Sequence, residues 1–437
     1  MGAPENPKKP PCSREDALAV LSRLREAGHV AYFAGGSVRD LLMGLEPKDY
    51  DVATDAPPKR VRQIFPNTQA VGAAFGVILV RQGRSVVEVA TFRAEGTYDD
   101  GRRPSEVRFT TAEEDAGRRD FTINGLFLDP LDGNRVIDFV GGQEVLKNGV
   151  MRAIGDPDVR FGEDYLRLLR AVRFAARFGL RIEERTAVAI RRRAPLLVGI
   201  SPERIADELR LMLMPPTRTA AWGLLREFNL PSILFRFVQE GRSAASADAD
   251  TPVIFEQTAP GETIPFGLAL AAGSLSYLWP RAGVADVRDV AARPMRLRIV
   301  DGLRKALKIS NEDWDALDGA LAGLEILLRD EFPGVPVLKR FLARPAASSS
   351  RALLAAVAGA GFHVERARHL GEVLNEMEKT VFAPPPLITG DDLTAAGLKP
   401  GPKFKKILDL VYDAQLEGRI KSKGDAIAMA LEARENI

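Results

Sequence analysis

Residues 34–40 read Ala34-Gly35-Gly36-Ser37-Val38-Arg39-Asp40, and a little further on stands Asp49-Tyr50-Asp51. A glycine turn opening a short helix presents backbone N–H groups, which are natural partners for phosphate. In a strand, alternate side chains share a face. Asp49 and Asp51 should therefore point one way while Tyr50 points back into the packing. Two carboxylates held on one rigid edge are hard oxygen ligands that suit a divalent cation. A metal beside a phosphate cradle means nucleotide chemistry. Taken alone, D-x-D is as often a turn or a solvated sheet edge. The glycine turn beside it favours the chemical reading.

Three further clusters fit that chemistry. Glu88 sits in the apolar strand Val86-Val87-Glu88-Val89-Ala90-Thr91-Phe92. A carboxylate there is costly unless paired or metal-associated, so Glu88 is a candidate third acidic group. Its alternative is a structural ion pair with Arg93 or another nearby Arg. Next, Arg118-Arg119-Asp120-Phe121-Thr122-Ile123-Asn124 places two guanidiniums, a carboxylate and an amide at the start of an apolar segment. Arg119 and its neighbour suit a polyphosphate, while Asp120 and Asn124 suit ribose hydroxyls. The plainer reading is a capped helix with a surface Arg pair.

The third cluster is Glu163-Asp164-Tyr165-Leu166-Arg167, continued by Arg170 and Arg173. On one helix Asp164 and Arg167 lie three apart, with the later Arg residues extending the stripe. An Asp only accepts hydrogen bonds and an Arg only donates. Side by side they match a base edge that offers an amino donor beside a ring-nitrogen acceptor. Cytosine and adenine have that edge; uracil and guanine have the opposite polarity. Alone, an Asp–Arg pair at this spacing is an ordinary helix salt bridge. Together with the carboxylates and the glycine turn, it reads as a protein-built template for C and A.

The elements that must hold these groups alternate. Ser13 and Asp16 have the look of a capping box opening a helix that Gly28 ends. Strands are expected at Val30–Ala34, Tyr50–Ala53, Gly76–Arg81 and Val86–Phe92, and helices at Val38–Met43 and Pro57–Phe65. The charged segment Arg93–Pro104 is too polar to pack and too long for a tight turn, so it is expected to be a moving loop. Beyond Gly155 the pattern turns helical, with segments at Glu163–Phe178, Ser201–Met214 and Thr219–Phe228. The result is an α+β head followed by an all-α remainder.

The chain has 437 residues, 46% hydrophobic and 27% charged, with a net charge of +2. That composition is globular and leaves room for several domains. A single cysteine, Cys12, fits a reducing, cytoplasmic setting. Met1–Pro11 carries no signal-peptide core, and no run approaches a membrane span. Three histidines (His29, His363, His369) are too few for most histidine–metal hydrolase sites, and they argue against an appended histidine–aspartate phosphohydrolase domain. From Met151 to Leu225 there are 14 Arg, no Lys and 9 acidic residues, a modest pointer to nucleic acid.

GGSVRD, the DYD, EVATFR, RAEGTYDDGRRP, RRDFTING and EDYLR occur in one order and spacing. In this the chain resembles the class II tRNA nucleotidyltransferase and bacterial poly(A) polymerase family over about residues 28–230. A weaker echo, ITGDDL…GLKPGPKFKKIL, lies near the C-terminus. Two departures stand out: Gly125 where Ala is usual, and Ala73-Ala74 in place of a more polar pair. The resemblance implies a polymerase-beta-like head, a helical neck and body, and a tail. The expected bounds are a disordered 1–12, head 13–150, neck 151–230, body 231–383 and tail 384–437.

It further implies addition of CCA to the 3′ end of tRNA from CTP and ATP. Asp49 and Asp51 would bind two Mg²⁺ ions, with Glu88 as a further catalytic acid. Gly35, Gly36 and Arg39 would cradle the triphosphate, and Arg119, Asp120 and Asn124 would surround the sugar and phosphates. Asp164 and Arg167 would read the base, supported by Arg170 and Arg173. Lys399, Lys403 and Lys405 near Gly401 would contact the tRNA backbone. The Gly-Arg-Arg-Phe motif of the poly(A) polymerases is replaced here by Val71-Gly72-Ala73-Ala74-Phe75-Gly76, so mRNA adenylation is the second reading. Arg93–Pro104 carries Asp99, Asp100 and Arg102, which favours full CCA over CC-only addition; an A-only enzyme would keep this loop as well. A non-catalytic RNA-binding protein is disfavoured by the intact Asp49 and Asp51.

Overall fold

A computed structural model describes residues 12–70, 76–95, 107–235, 254–279, 286–401 and 403–436. The chain divides into two compact units, Met1–Met212 with Gly223–Ile233, and Leu213–Trp222 with Leu234–Ile437.

The first unit opens with α1 (Arg14–Glu26), whose Ser13 cap accepts the Asp16 N–H. Its buried residues Ala17, Val20, Leu21 and Leu24 fall on one stripe, so the helix lies against a sheet. Then come β1 (Ala31–Ala34), α2 (Gly36–Leu42), β2 (Asp51–Thr54), α3 (Pro58–Ile64), β3 (Thr68–Gln69), β4 (Val77–Gln82) and β5 (Ser85–Thr91). β6 (Arg93–Glu95) pairs antiparallel with β7 (Val107–Phe109), and α4 spans Ala112–Gly117. β8 (Leu126–Asp129) and β9 (Arg135–Asp138) complete a seven-stranded mixed sheet in the order β3-β4-β5-β2-β1-β8-β9.

Alternation divides the sheet cleanly. Phe33, Val52, Ile78, Val80, Val87, Val89 and Leu126 pack with α1 in one cluster. Ala34, Ala53, Phe92 and Phe127 belong to a second cluster with Ala116 of α4. By the same alternation Asp51 and Glu88 belong to this second face.

After α5 (Gly142–Lys147) and the short β10 (Val150–Met151) come α6 (Pro157–Glu163), α7 (Leu166–Phe178), β11 (Arg181–Ile182), α8 (Glu184–Arg193) and α9 (Pro202–Met212), in the same unit as the sheet. The expected single helix Glu163–Phe178 is broken: Asp164 has extended backbone, φ −153° and ψ 107°, between α6 and α7. Gly179, at φ 63°, ends α7 in the left-handed conformation that glycine adopts without strain.

The expected loop also changes. Arg93–Glu95 forms a strand, because Arg93 pairs with Phe109 and Glu95 with Val107. The rest of that segment, 96–104, lies outside the described residues, as do Ala73 and Ala74.

The second unit is helical among its described residues. The helix Phe266–Leu278 is buried on every side and packs on Asn311–Leu327, where Gly267 meets the Asp313 carbonyl so closely that no β-carbon fits. The C-terminal helices form their own apolar cluster around Leu393, Ile407, Val411 and Ala430. No helix among the described residues is long and apolar enough to cross a membrane.

Candidate active site

Strand register places the carboxylates. Ala34 on β1 pairs with Asp51 on β2, so Asp51 stands opposite the residue that enters the Gly35-Gly36 turn. β2 runs parallel to β5 with Val52 beside Val89, which sets Asp51 alongside Glu88 on the same face. Tyr50 turns inward as expected, buried with its ring 5.2 Å from Phe33. The strand begins at Asp51 rather than Tyr50. Asp49 therefore precedes it, exposed, with Oδ1 accepting the Cys12 N–H at 3.2 Å.

Among the described residues Glu88 makes no hydrogen bond or ion pair, so the salt bridge with Arg93 is not formed. No three carboxylate, histidine or cysteine side chains among the described residues gather as a metal cluster. Asp51 and Glu88 share one face of the sheet, and Asp49 stands just before the strand. Hard, oxygen-only donors of this kind fit Mg²⁺, which keeps several waters and needs few protein ligands.

The glycine turn is tight for a structural reason. Gly35 has φ 65°, its N–H donates to the Leu126 carbonyl at 3.0 Å, and a β-carbon there would lie 2.9 Å from Arg119 Nη1. Arg119 is thus directly at the turn. Its guanidinium also donates to the Asn124 carbonyl (3.1 Å) and to Asp115 Oδ2 (2.9 Å), and it lies over the Phe127 ring.

Arg118 takes the other oxygen of the same Asp115 at 2.8 Å. Burial pushes the Asp115 carboxyl up, but the charges of Arg119 and Arg118 outweigh it and hold the group below the usual aspartate range. The Arg pair therefore closes the end of α4 on Asp115, and Arg119 also stands at the turn. Asp115 was missed in the sequence, although its spacing of three and four residues from the two Arg is the helix-pair signal.

Behind the turn lies a buried polar network. Arg39 is 4% exposed; it donates to Asp40 Oδ1 (2.6 and 2.9 Å) and to Asn124 Oδ1 (2.6 Å), with its guanidinium over Phe178. Burial lowers its pKa against the opposing pull of Asp40. Asp120, 7% exposed, accepts Phe121 N–H and Asn124 Nδ2 on one oxygen and a two-pronged contact from Arg170 on the other, at 2.6 and 2.8 Å. Burial raises the Asp120 carboxyl, yet Arg170 and the hydrogen bonds of Asn124 and Phe121 bring it below the ordinary range. Arg39, Asp120 and Asn124 are thus buried and joined by hydrogen bonds behind the turn.

The helix stripe on α7 is the other half of this network. Arg170 reaches Asp120, Arg173 reaches Glu208 on α9 at 2.7 Å, and Arg177 lies 3.9 Å from Asp40. Asp164 and Arg167 do not pair with each other. Asp164 caps α7 by accepting the Leu166 N–H, and its other oxygen takes Arg204 of α9 at 2.6 Å. Arg167 Nη1 bonds Glu163 and the Arg160 carbonyl. Its Nε and Nη2 donate to nothing among the described residues. The break between α6 and α7 thus keeps the two side chains apart, each oriented by another residue. Glu163, Arg204 and Glu208 were not singled out in the sequence, and the last two lie too far along the chain for any local spacing to show them.

Lys399, Lys403 and Lys405 are exposed. Gly125, unusual in sequence, has a local explanation: a β-carbon would sit 2.8 Å from Val140 Cγ2 and 3.2 Å from Ile154.

Residues 31–152 match the family model described as the poly(A) polymerase head domain. Residues 179–241 match one described as a probable RNA and SrmB-binding site of polymerase A. The chain is 32% identical over 425 residues to a CCA-adding enzyme of Geobacillus kaustophilus, covering 96% of each chain. It is 43% identical over 246 residues to poly(A) polymerase I of Salmonella typhi, and there it spans only about half of the relative's length, 53%. The fold matches the crystal structure of the Bacillus stearothermophilus CCA-adding enzyme in complex with CTP, with a TM-score of 0.65 and 29% identity over 97% of this chain and 98% of that one. On this full-length likeness the chain belongs to the nucleotidyltransferase family of the CCA-adding enzymes and bacterial poly(A) polymerases.

Proposed function

We propose that the chain adds the 3′-terminal CCA to tRNA from CTP and ATP, releasing pyrophosphate, in the cytoplasm. The observation that carries this reading is the register that sets Asp51 against the entrance of the Gly35-Gly36 turn, with Glu88 alongside. Asp49 and Asp51 would hold two Mg²⁺ ions, which supply Lewis-acid stabilisation of the α-phosphate and of the leaving pyrophosphate when bound.

The chain's own residues do the rest. The Gly35-Gly36 turn and Arg119 bind the triphosphate. Arg39, Asp120, Asn124, Arg170 and Arg173 fix the turn and α7 in position. The open donors of Arg167 and the carboxylate of Asp164 read the amino and ring-nitrogen edge shared by C and A. A mismatch leaves a polar group unpaired, about 1–3 kcal/mol against the wrong base. Lys399, Lys403 and Lys405 contact tRNA phosphates. The division into head, neck, body and tail at 150, 230 and 383 belongs to the same reading.

The 43% identity to a poly(A) polymerase keeps RNA adenylation as a second reading. Substitution tests the site directly. Asp49→Ala and Asp51→Ala should each abolish incorporation while leaving tRNA affinity nearly unchanged; a variant that still extends tRNA contradicts the metal assignment.

A further inference from the structure

A cavity of about 260 Å³ in the first unit is lined by Thr122, Val140, Arg152, Gly155, Glu183 and Arg185, among others. None of these is a residue of the site described above. The parallel pair β10–β11, with Val150 beside Arg181 and Met151 beside Ile182, ties together the two segments that supply the cations. Side chains of Arg152 and Arg185 make no hydrogen bond or ion pair among the described residues. Thr122 is 2% exposed, and its buried hydroxyl has no hydrogen-bond partner among the described residues. A buried hydroxyl left unpaired in a native fold calls for a ligand or a water. At Gly141, with φ 70°, a β-carbon would press to 3.2 Å from Arg152 Nη2, so the glycine leaves that guanidinium its room.

We propose that this cavity seats one backbone phosphodiester of RNA, with Arg152 and Arg185 on the phosphate and Glu183 accepting from the ribose 2′-hydroxyl. Charge selects the ligand. Two guanidiniums against one carboxylate leave +1, which a phosphodiester neutralises and a free phosphate or pyrophosphate exceeds. Glu183 Oε2 accepts the Thr186 hydroxyl at 3.0 Å, which holds the carboxylate in place with Oε1 left for a second donor. A 2′-hydroxyl is the group by which RNA differs from DNA. The cavity is smaller than the usual 300–1,000 Å³ of a whole small-molecule site, as fits one group of a polymer. Glu183 and Arg185 also fall inside the segment matched by the probable RNA-binding model.

This inference rests on the reading that the chain acts on RNA, and the test separates the two. Binding of a tRNA transcript by the full chain is measured across a salt series for the parent, Arg152→Ala, Arg185→Ala and the double variant. Each single change should weaken binding severalfold, and the double should lower the slope of log Kd against log salt by about 1. Because Arg185 is exposed and its side chain makes no hydrogen bond or ion pair among the described residues, its variant keeps the test valid if Arg152→Ala folds poorly. Glu183→Ala should shrink the preference for an RNA acceptor hairpin over its DNA copy; an unchanged preference removes the 2′-hydroxyl contact. A parent that binds tRNA with a slope untouched by the Arg changes overturns the cavity assignment. A parent that binds no tRNA overturns the functional reading with it. Saturable binding of inorganic phosphate that Arg152→Ala abolishes, with the RNA slope unchanged, replaces RNA by free phosphate as the ligand.

Discussion

Asp120 and Arg170 show how much of this site is scaffold. Asp120 is buried, fully hydrogen-bonded and held below the ordinary aspartate range, so its ionised form is favoured by the fold. Such a group stabilises the folded state above its unfolded pKa of about 3.9, and that contribution is lost as pH falls through the lower folded value. Asp115 behaves in the same way. The first unit should therefore hold its stability down to about pH 4 and lose it below, and Asp120→Asn should flatten that acid limb in urea titrations across pH. Asp120→Ala leaves the half-buried Arg170 without its main partner and should cost about 1–3 kcal/mol. For base choice, Asp164→Ala and Arg167→Ala should admit UTP and GTP in single-turnover incorporation. If the preference for C and A survives both, the two residues serve only to join α6, α7 and α9.

At the scale of elements, backbone contact decides what a glycine can become. Gly142 at the start of α5 leaves no room for a β-carbon beside the Thr122 carbonyl, and Leu126 Cδ2 would lie 2.9 Å away. Gly142→Ala should lower the urea midpoint, with a cost of about 1–3 kcal/mol, because backbone must move. At Gly125 the nearest obstacles are the side chains of Val140 and Ile154, which can shift, so Gly125→Ala should cost less. Equal costs would show that the close approach at Gly142 is relieved elsewhere. Much at this scale was legible in sequence: the Ser13 cap and the helix it opens, the strands that follow and the Arg stripe on α7 are all set by local spacing. The break at Asp164 was not, because the pattern of apolar residues runs on through it. It exists because Asp164 caps α7 and is held by Arg204, forty residues away. The strand Arg93–Glu95 was hidden likewise, since its partner Val107–Phe109 lies across a charged segment.

For the whole molecule, the fold brings several first-half motifs close: the β1–β2 pair sets Asp51 opposite Ala34, and Arg119 lies at the Gly35 turn. The roles within it were less visible. Arg39, Asp120 and Asn124 read as ligand contacts in sequence; their spacing hid that they are buried and bonded to one another, with Arg170 on Asp120. The central claim is that the whole chain completes the tRNA 3′ end. It is tested most directly by extending three tRNA transcripts, ending before CCA, after C and after CC, with Mg²⁺ and CTP and ATP given separately and together. Each transcript should gain the C, C and A residues it lacks, followed by a stop. Long A tails, arrest after CC, or activity only on the CC-ended transcript would contradict it.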